Sequence, residues 1–277
     1  MLLDEKNLAR GEEMKIRANG IEMNYEMSGK KGGPVVMLSH SLASSLVMWD
    51  PQMKVLEKEF SVLRYDVRGH GKSEATQGPY SLELLAEDAI RLLDGLGIDK
   101  VHWVGLSMGG MIGQGIALNY RNRLISLVLC DTSASVAEES HQMRDERIAL
   151  ARQKGIEALL DQTMERWFTP SFLLRKSPAI ASIRREFLST SLEGYIGCME
   201  AIRRLNYLPL LERIDLPVLV IVGADDMATP VSAAEAIHAR IRNSVLVILK
   251  SCRHLSNVEQ PKAFNDALMQ FLKRQNM

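Results

Sequence analysis

Short apolar runs alternate along this chain with longer stretches whose apolar residues recur at spacings of three and four. VVMLSH after Pro34, FSVLRYD from Phe60, VHWVGLS from Val101, LISLVLCD from Leu124, PVLVIVG from Pro217 and SVLVILK from Ser244 are the short runs. Their length and β-branched content predict strands buried on both faces. Between them, residues 47–59, SLELLAEDAIRLLDGL from Ser81, MGGMIGQGIALNY from Met108, VSAAEAIHARI from Val231 and AFNDALMQFLKRQ from Ala263 have helical character. Ser81 suits an N-terminal cap and Gly97 a helix stop. Ile21–Met27 alternates weakly and is expected as an early edge strand after a polar leader.

This repeated strand–helix order predicts an α/β fold with a mostly parallel central sheet and helices on both faces. The pattern changes after Asp131. From about Thr132 to Leu211 no strand is expected, but RDERIALARQKGIEALLDQTMERWF and SPAIASIRREFLSTS are amphipathic. A helical insertion over the core is the reading. No internal repeat or heptad run interrupts it.

Composition narrows the function. Lysine plus arginine equals aspartate plus glutamate at 34 each, so no nucleic-acid partner is expected, although a local positive patch is compatible with balance. Cys130, Cys198 and Cys252 have no metal-ligand spacing and an odd count, which favours a reduced, cytoplasmic setting. The segment MLLDEKNLARGEEMK lacks the form of a secretory signal. No run approaches the roughly 20 apolar residues of a membrane span.

The chemistry centres on Gly105-Leu106-Ser107-Met108-Gly109, set between a predicted strand and a predicted helix. A serine on so sharp a turn needs small neighbours, and its hydroxyl then stands above the carboxyl edge of the sheet. A serine nucleophile needs a base, and the base an orienting acid. The order serine, acid, histidine is met by Ser107, then Asp225 or Asp226 after PVLVIVG, then His254 after SVLVILK. Among the other histidines, His102 reads as a core residue, His141 and His238 as surface residues, and His40 and His70 as loop residues near the pocket. Donors for an oxyanion are expected from the amide of Met108 and from that of Leu42, in the loop Ser39-His40-Ser41-Leu42.

These residues together resemble the α/β-hydrolase superfamily over almost the full chain, and within it the 3-oxoadipate enol-lactonases. LSHSLASSLVMWDPQ (residues 38–52), YDVRGHGKS (65–73) and HLSNVEQPKAFN (254–265) carry the likeness. The resemblance selects Asp226 over Asp225 through Gly223, Asp226, Thr229 and Pro230, giving Ser107, Asp226 and His254 as the triad. It also implies a core of residues 1–131 and 210–277 with a helical cap at 132–209. It breaks at Ser251-Cys252-Arg253, where the family carries glycine-rich sequence and where bulkier residues are expected to alter the loop or touch substrate.

The implied activity is opening of a small carboxylated enol-lactone, with no metal or organic cofactor. Substrate contacts are expected from Ser41, Trp49, Arg166 and Trp167. Trp49 reads equally well as a core residue under the first helix. Arg166 is singled out among Arg144, Arg147, Arg175, Arg184, Arg185, Arg203 and Arg204 because an aromatic pair follows it, while most helix arginines are simply solvated. Asp66 and Arg68 read as organisers of their loop. A general carboxylesterase or cofactor-free perhydrolase shares these motifs, and a ligand-binding protein on the same scaffold is the reading from another class. Oligomeric state is left open by these patterns.

Overall fold

The structure, a computed structural model, describes residues 13–275. The reading of the leader therefore falls mostly outside the described residues, but its last three belong to strand β1 (Glu13–Ala18). β2 (Ile21–Gly29) follows through Asn19-Gly20, both at positive φ, a pairing that matches the twist of a two-residue hairpin. β1 pairs antiparallel with β2 and takes the edge, so Ile21–Met27 is the second strand and not an edge strand. The Asn-Gly pair was the signal for it.

The remaining elements follow the predicted alternation. β3 (Val35–Ser39), α1 (Asp50–Leu56), β4 (Ser61–Tyr65), α2 (Leu82–Gly95), β5 (Val101–Leu106), α3 (Met108–Asn119) and β6 (Leu124–Cys130) form the first half. The helical reading of residues 47–59 resolves into a 3-10 turn at Leu46–Trp49, α1, and a terminal turn. Ser81 caps α2 by accepting the Leu84 amide at 3.1 Å. Between β6 and β7 lie α4 (His141–Lys154), α5 (Leu160–Trp167), α6 (Pro170–Leu173), α7 (Pro178–Ser189) and α8 (Leu192–Arg203). β7 (Val218–Gly223), α9 (Val231–Arg240), β8 (Ser244–Leu249), α10 (Ser256–Glu259) and α11 (Pro261–Arg274) complete the chain.

The sheet runs β1-β2-β4-β3-β5-β6-β7-β8. The first two pairings are antiparallel and the other five parallel. Alternate strand residues feed separate cores: Met37, Trp103 and Val220 pack with α2, α3 and α9, whereas Val36, Val104 and Ile221 pack with α1 and α11. Helices therefore cover both faces, as the doubly apolar strands require. The parallel strands end together, and the loops leaving those ends build one side of the cleft. No helix among the described residues is long and apolar enough to cross a membrane. All three cysteines are buried free thiols.

Candidate active site

β5 ends at Leu106 and α3 starts at Met108, leaving Ser107 alone at the turn with φ 55° and ψ −114°. The left-handed φ costs energy for any residue with a side chain and persists only because its surroundings over-determine it. Those surroundings are hydrogen bonds: Ser107 N donates to Cys130 O at 2.8 Å, while Ser107 O accepts Gly110 N, Met111 N and the Thr132 hydroxyl. The glycines are required by close approach. A Cβ on Gly105 would lie 2.1 Å from Gly109 O, and one on Gly109 would lie 2.1 Å from Ser39 O.

Asp226 and His254 converge on this serine from the loops after β7 and β8. His254 Nε2 lies 2.9 Å from Ser107 Oγ, and its Nδ1 lies 2.8 Å from Asp226 Oδ2. A carboxylate accepts only, so Nδ1 carries the proton and Nε2 is free to accept from the serine hydroxyl. Asp226 Oδ1 also accepts the amides of Ala228 and Thr229, and Oδ2 the Thr229 hydroxyl at 2.7 Å. Burial pushes the Asp226 carboxyl up, but attraction to His254 and these donors outweigh it and hold the group below its ordinary value. Asp225, the neighbouring alternative, is exposed, and no hydrogen bond to His254 is found for it among the described residues.

The residues expected to supply oxyanion donors lie on either side of Ser107 in the fold, one next to it in the chain and one in the loop after β3. Met108 is the first residue of α3, where an N–H has no acceptor within its own helix. Leu42 lies in the turn after β3, next to Ala43 at φ 54°, and lines the cleft with Ser41 and Ser107.

The cleft, about 680 Å³ counted to its mouth, lies between these loops and the helical insertion. Leu42, Met111, Phe187, Met199 and Ile202 make much of its wall apolar. Arg166 and Trp167 line it as expected. Trp49 does not: its indole is fully buried against Phe264, 6.2 Å between ring centroids, and it belongs to the core under α1. The 3-10 turn at Leu46–Trp49 buries Leu46, Met48 and Trp49 together, so the tryptophan packs inward with its apolar neighbours.

Two further arginines, Arg144 and Arg147 on α4, also line the cleft, and nothing in the sequence pattern separates them from the other helix arginines. Arg144 donates to the Ser140 carbonyl and hydroxyl, and Arg147 to Gln162 and Thr163. Arg166 contacts the Met143 sulfur at 3.5 Å. None of the three has a carboxylate within ion-pair distance among the described residues. Burial, then mutual repulsion, lowers the pKa of Arg144 and of Arg166, although a guanidinium stays charged throughout the physiological range. By contrast, Arg184 and Arg203 pair with Asp161 and Asp145 at the surface. The Tyr195 hydroxyl is buried beside the cleft without a hydrogen-bond partner among the described residues.

Other polar groups are structural. Asp66 accepts Leu46 N, Asn24 Nδ2 and Lys72 N, and Arg68 forms a two-pronged pair with Asp88 on α2. His102 meets Ser126 at 2.8 Å inside the sheet. His40 and His70 are buried and do not line the cleft; His40 Nε2 accepts the Val67 amide. Asp131, just after β6, carries no motif that marks it in the sequence. It is fully buried and accepts Gly223 N at 2.8 Å and the Ser256 hydroxyl at 2.5 Å, so it ties the ends of β6 and β7 to the histidine loop. Burial and the nearby Asp226 charge push its carboxyl well above the ordinary value.

A serine hydroxyl raised at a strand-to-helix turn, beside an imidazole in a cleft, defines a serine-type hydrolase, and the fold agrees. The chain belongs to the α/β hydrolase fold family, whose model matches residues 34–261. More particularly it falls in the enol-lactonase-like branch of serine esterases. It is 36% identical over 261 residues to 3-oxoadipate enol-lactonase 2 of Acinetobacter baylyi, covering 94% of this chain and 97% of that one. The solved enol-lactonase of Burkholderia xenovorans superposes with a TM-score of 0.91 at 37% identity, over 94% of this chain and all of the other. A hydrolase from Pseudomonas aeruginosa superposes at 0.90 with 39% identity, over 95% and 98%.

Proposed function

We propose that this hydrolase opens a small carboxylated enol-lactone, 3-oxoadipate enol-lactone being the favoured substrate and 3-oxoadipate its product. The observation that carries the reading is the group of cleft arginines, Arg144, Arg147 and Arg166, without carboxylate partners among the described residues. Half-buried cations lose part of their hydration, and a substrate carboxylate bound by one or two guanidinium forks would offset that cost. The resemblance in name of the relatives supports the same substrate class.

In this reading Ser107 Oγ attacks the lactone carbonyl as His254 Nε2 takes its proton. Asp226 holds the imidazole in the required tautomer and stabilises the imidazolium. The amides of Leu42 and Met108 receive the negative charge of the tetrahedral intermediate. The ring C–O bond breaks, protonated His254 assists the departing enolate oxygen, and an acyl-enzyme remains. Water, deprotonated by His254, releases the acid, and the enol tautomerises to the ketone. Residues 132–209 act as a cap that brings the arginines over Ser107. Ser41 and Trp167 border the substrate, and the Tyr195 hydroxyl supplies one more donor.

Steady-state hydrolysis of 3-oxoadipate enol-lactone and of p-nitrophenyl acetate, by wild type and Ser107→Ala, tests the reading. Wild type is expected to prefer the lactone strongly, and turnover of both substrates is expected to fall by about 10⁴-fold or more in the variant. Ester turnover without lactone turnover would instead identify a general carboxylesterase or perhydrolase. Activity on neither would favour a ligand-binding role.

A further inference from the structure

The segment Ser251-Cys252-Arg253 breaks the family likeness just before His254, and the proposed chemistry does not use it. Ser251 takes φ 56°, and the loop then presses on β7, where a Cβ at Gly223 would lie 2.3 Å from Arg253 O. Arg253 does not line the cleft. Its guanidinium runs to the end of α5, where Nη1 donates to Glu165 O and, at 3.3 Å, to Phe168 O. On the other side of His254, Leu255 N donates to Trp167 O at 3.2 Å. Buried Glu259 closes the clasp by accepting Arg253 N at 3.0 Å, Thr169 N at 3.1 Å and the Thr169 hydroxyl.

The last carbonyls of a helix lack donors of their own, and a cation beside them is favoured by the helix dipole. In α5 those carbonyls are met from the histidine loop. The same short helix presents Arg166 and Trp167 to the cleft. Both neighbours of His254 in sequence therefore hold the segment that carries Arg166.

We propose that Arg253 is a positioning residue that fixes the spacing between His254 and Arg166, and through it the preference for acyl substrates bearing their own carboxylate. This rests on the carboxylate reading of the cleft. A small acid has its carboxylate and reacting carbonyl at a limited separation, so both ends must be met at once. A neutral ester needs only the Ser107 end.

p-Nitrophenyl hemisuccinate and p-nitrophenyl butyrate share a leaving group and differ in a terminal carboxylate. Their kcat and KM are to be measured for wild type, Arg166→Ala, Arg253→Ala and Arg253→Lys. Wild type is expected to prefer the hemisuccinate. Arg166→Ala and Arg253→Ala are each expected to lower the hemisuccinate-to-butyrate ratio of kcat/KM about tenfold, chiefly through the hemisuccinate KM, and Arg253→Ala is expected to keep butyrate kcat within about twofold. Arg253→Lys retains a cation and is expected to lose less. If Arg166→Ala loses the preference while both Arg253 variants keep it, the positioning role is overturned and the carboxylate reading stands. Wild type without a preference overturns both, and Arg166→Ala with the full preference overturns the pairing of Arg253 with Arg166. An equal loss on both esters, or lower thermal stability with an unchanged ratio, reduces Arg253 to a structural part. Should Arg253→Ala fail to fold, Arg253→Lys decides alone, an unchanged ratio counting against the role.

Discussion

At the scale of single residues, the site depends on where side chains are forbidden as much as on where they act. Ser107 holds its left-handed backbone because three donors fasten its carbonyl and Cys130 its amide. Gly109 lets α3 begin against Ser39, and the atom opposing a Cβ there is a main-chain oxygen that cannot swing away. Gly109→Ala is expected to cost about 3 kcal/mol or more of stability and to abolish hydrolysis; urea unfolding and an ester assay would measure both. Asp131 shows what residue-level reading misses. It ends a strand as Asp226 nearly does, but its value lies in partners 92 and 125 positions away along the chain, Gly223 and Ser256.

At the scale of elements, strands and helices were legible because their apolar periods are strong, and the hairpin of β1 and β2 was missed because β1 is short and half polar. The sequence marks Asp66 and Arg68 as organisers of their loop, but local pattern does not name the groups they meet. Arg68 pairs with Asp88, one helix later, with side chains 6% and 2% exposed. Arg68→Ala would leave Asp88 buried without its cation, holding only the Asn19 amide at 2.7 Å, at an expected cost of about 3 kcal/mol, whereas Arg68→Met with Asp88→Leu should cost much less. Thermal unfolding of the single and double variants checks it. On α4, Arg144 and Arg147 stand three apart and share a face, yet the helix is polar nearly all round, so its pattern does not say which face meets the cleft.

At the scale of the whole molecule, burial makes stability depend on pH through groups outside the proposed chemistry. Burial lowers His40 to about 4, and burial with repulsion from His40 lowers His70 to about 3. Both are neutral when folded and titrate near 6.5 when unfolded, so below that value the unfolded chain binds more protons. Stability is thus expected to be intact above about pH 6.5 and to fall on acidification, by up to about 1.4 kcal/mol per pH unit for each imidazole, until the folded values are reached. Denaturant unfolding between pH 7 and 4.5 measures the slope, and His70→Asn should flatten it.

The chain alone determined what local pattern can encode: the alternation of elements, the strained serine turn between a strand and a helix, and the order serine, acid, histidine. Resemblance added the choice of Asp226. Only tertiary structure decided that Trp49 faces the core, that three arginines from two helices share a cleft with Ser107, and that Arg253 reaches back to the end of α5. The reason is physical. Periodicity records which face of an element is buried, but not which of several buried environments that face meets. Burial of charge without a partner is a property of neighbours distant in sequence, and it exists only once the chain has folded.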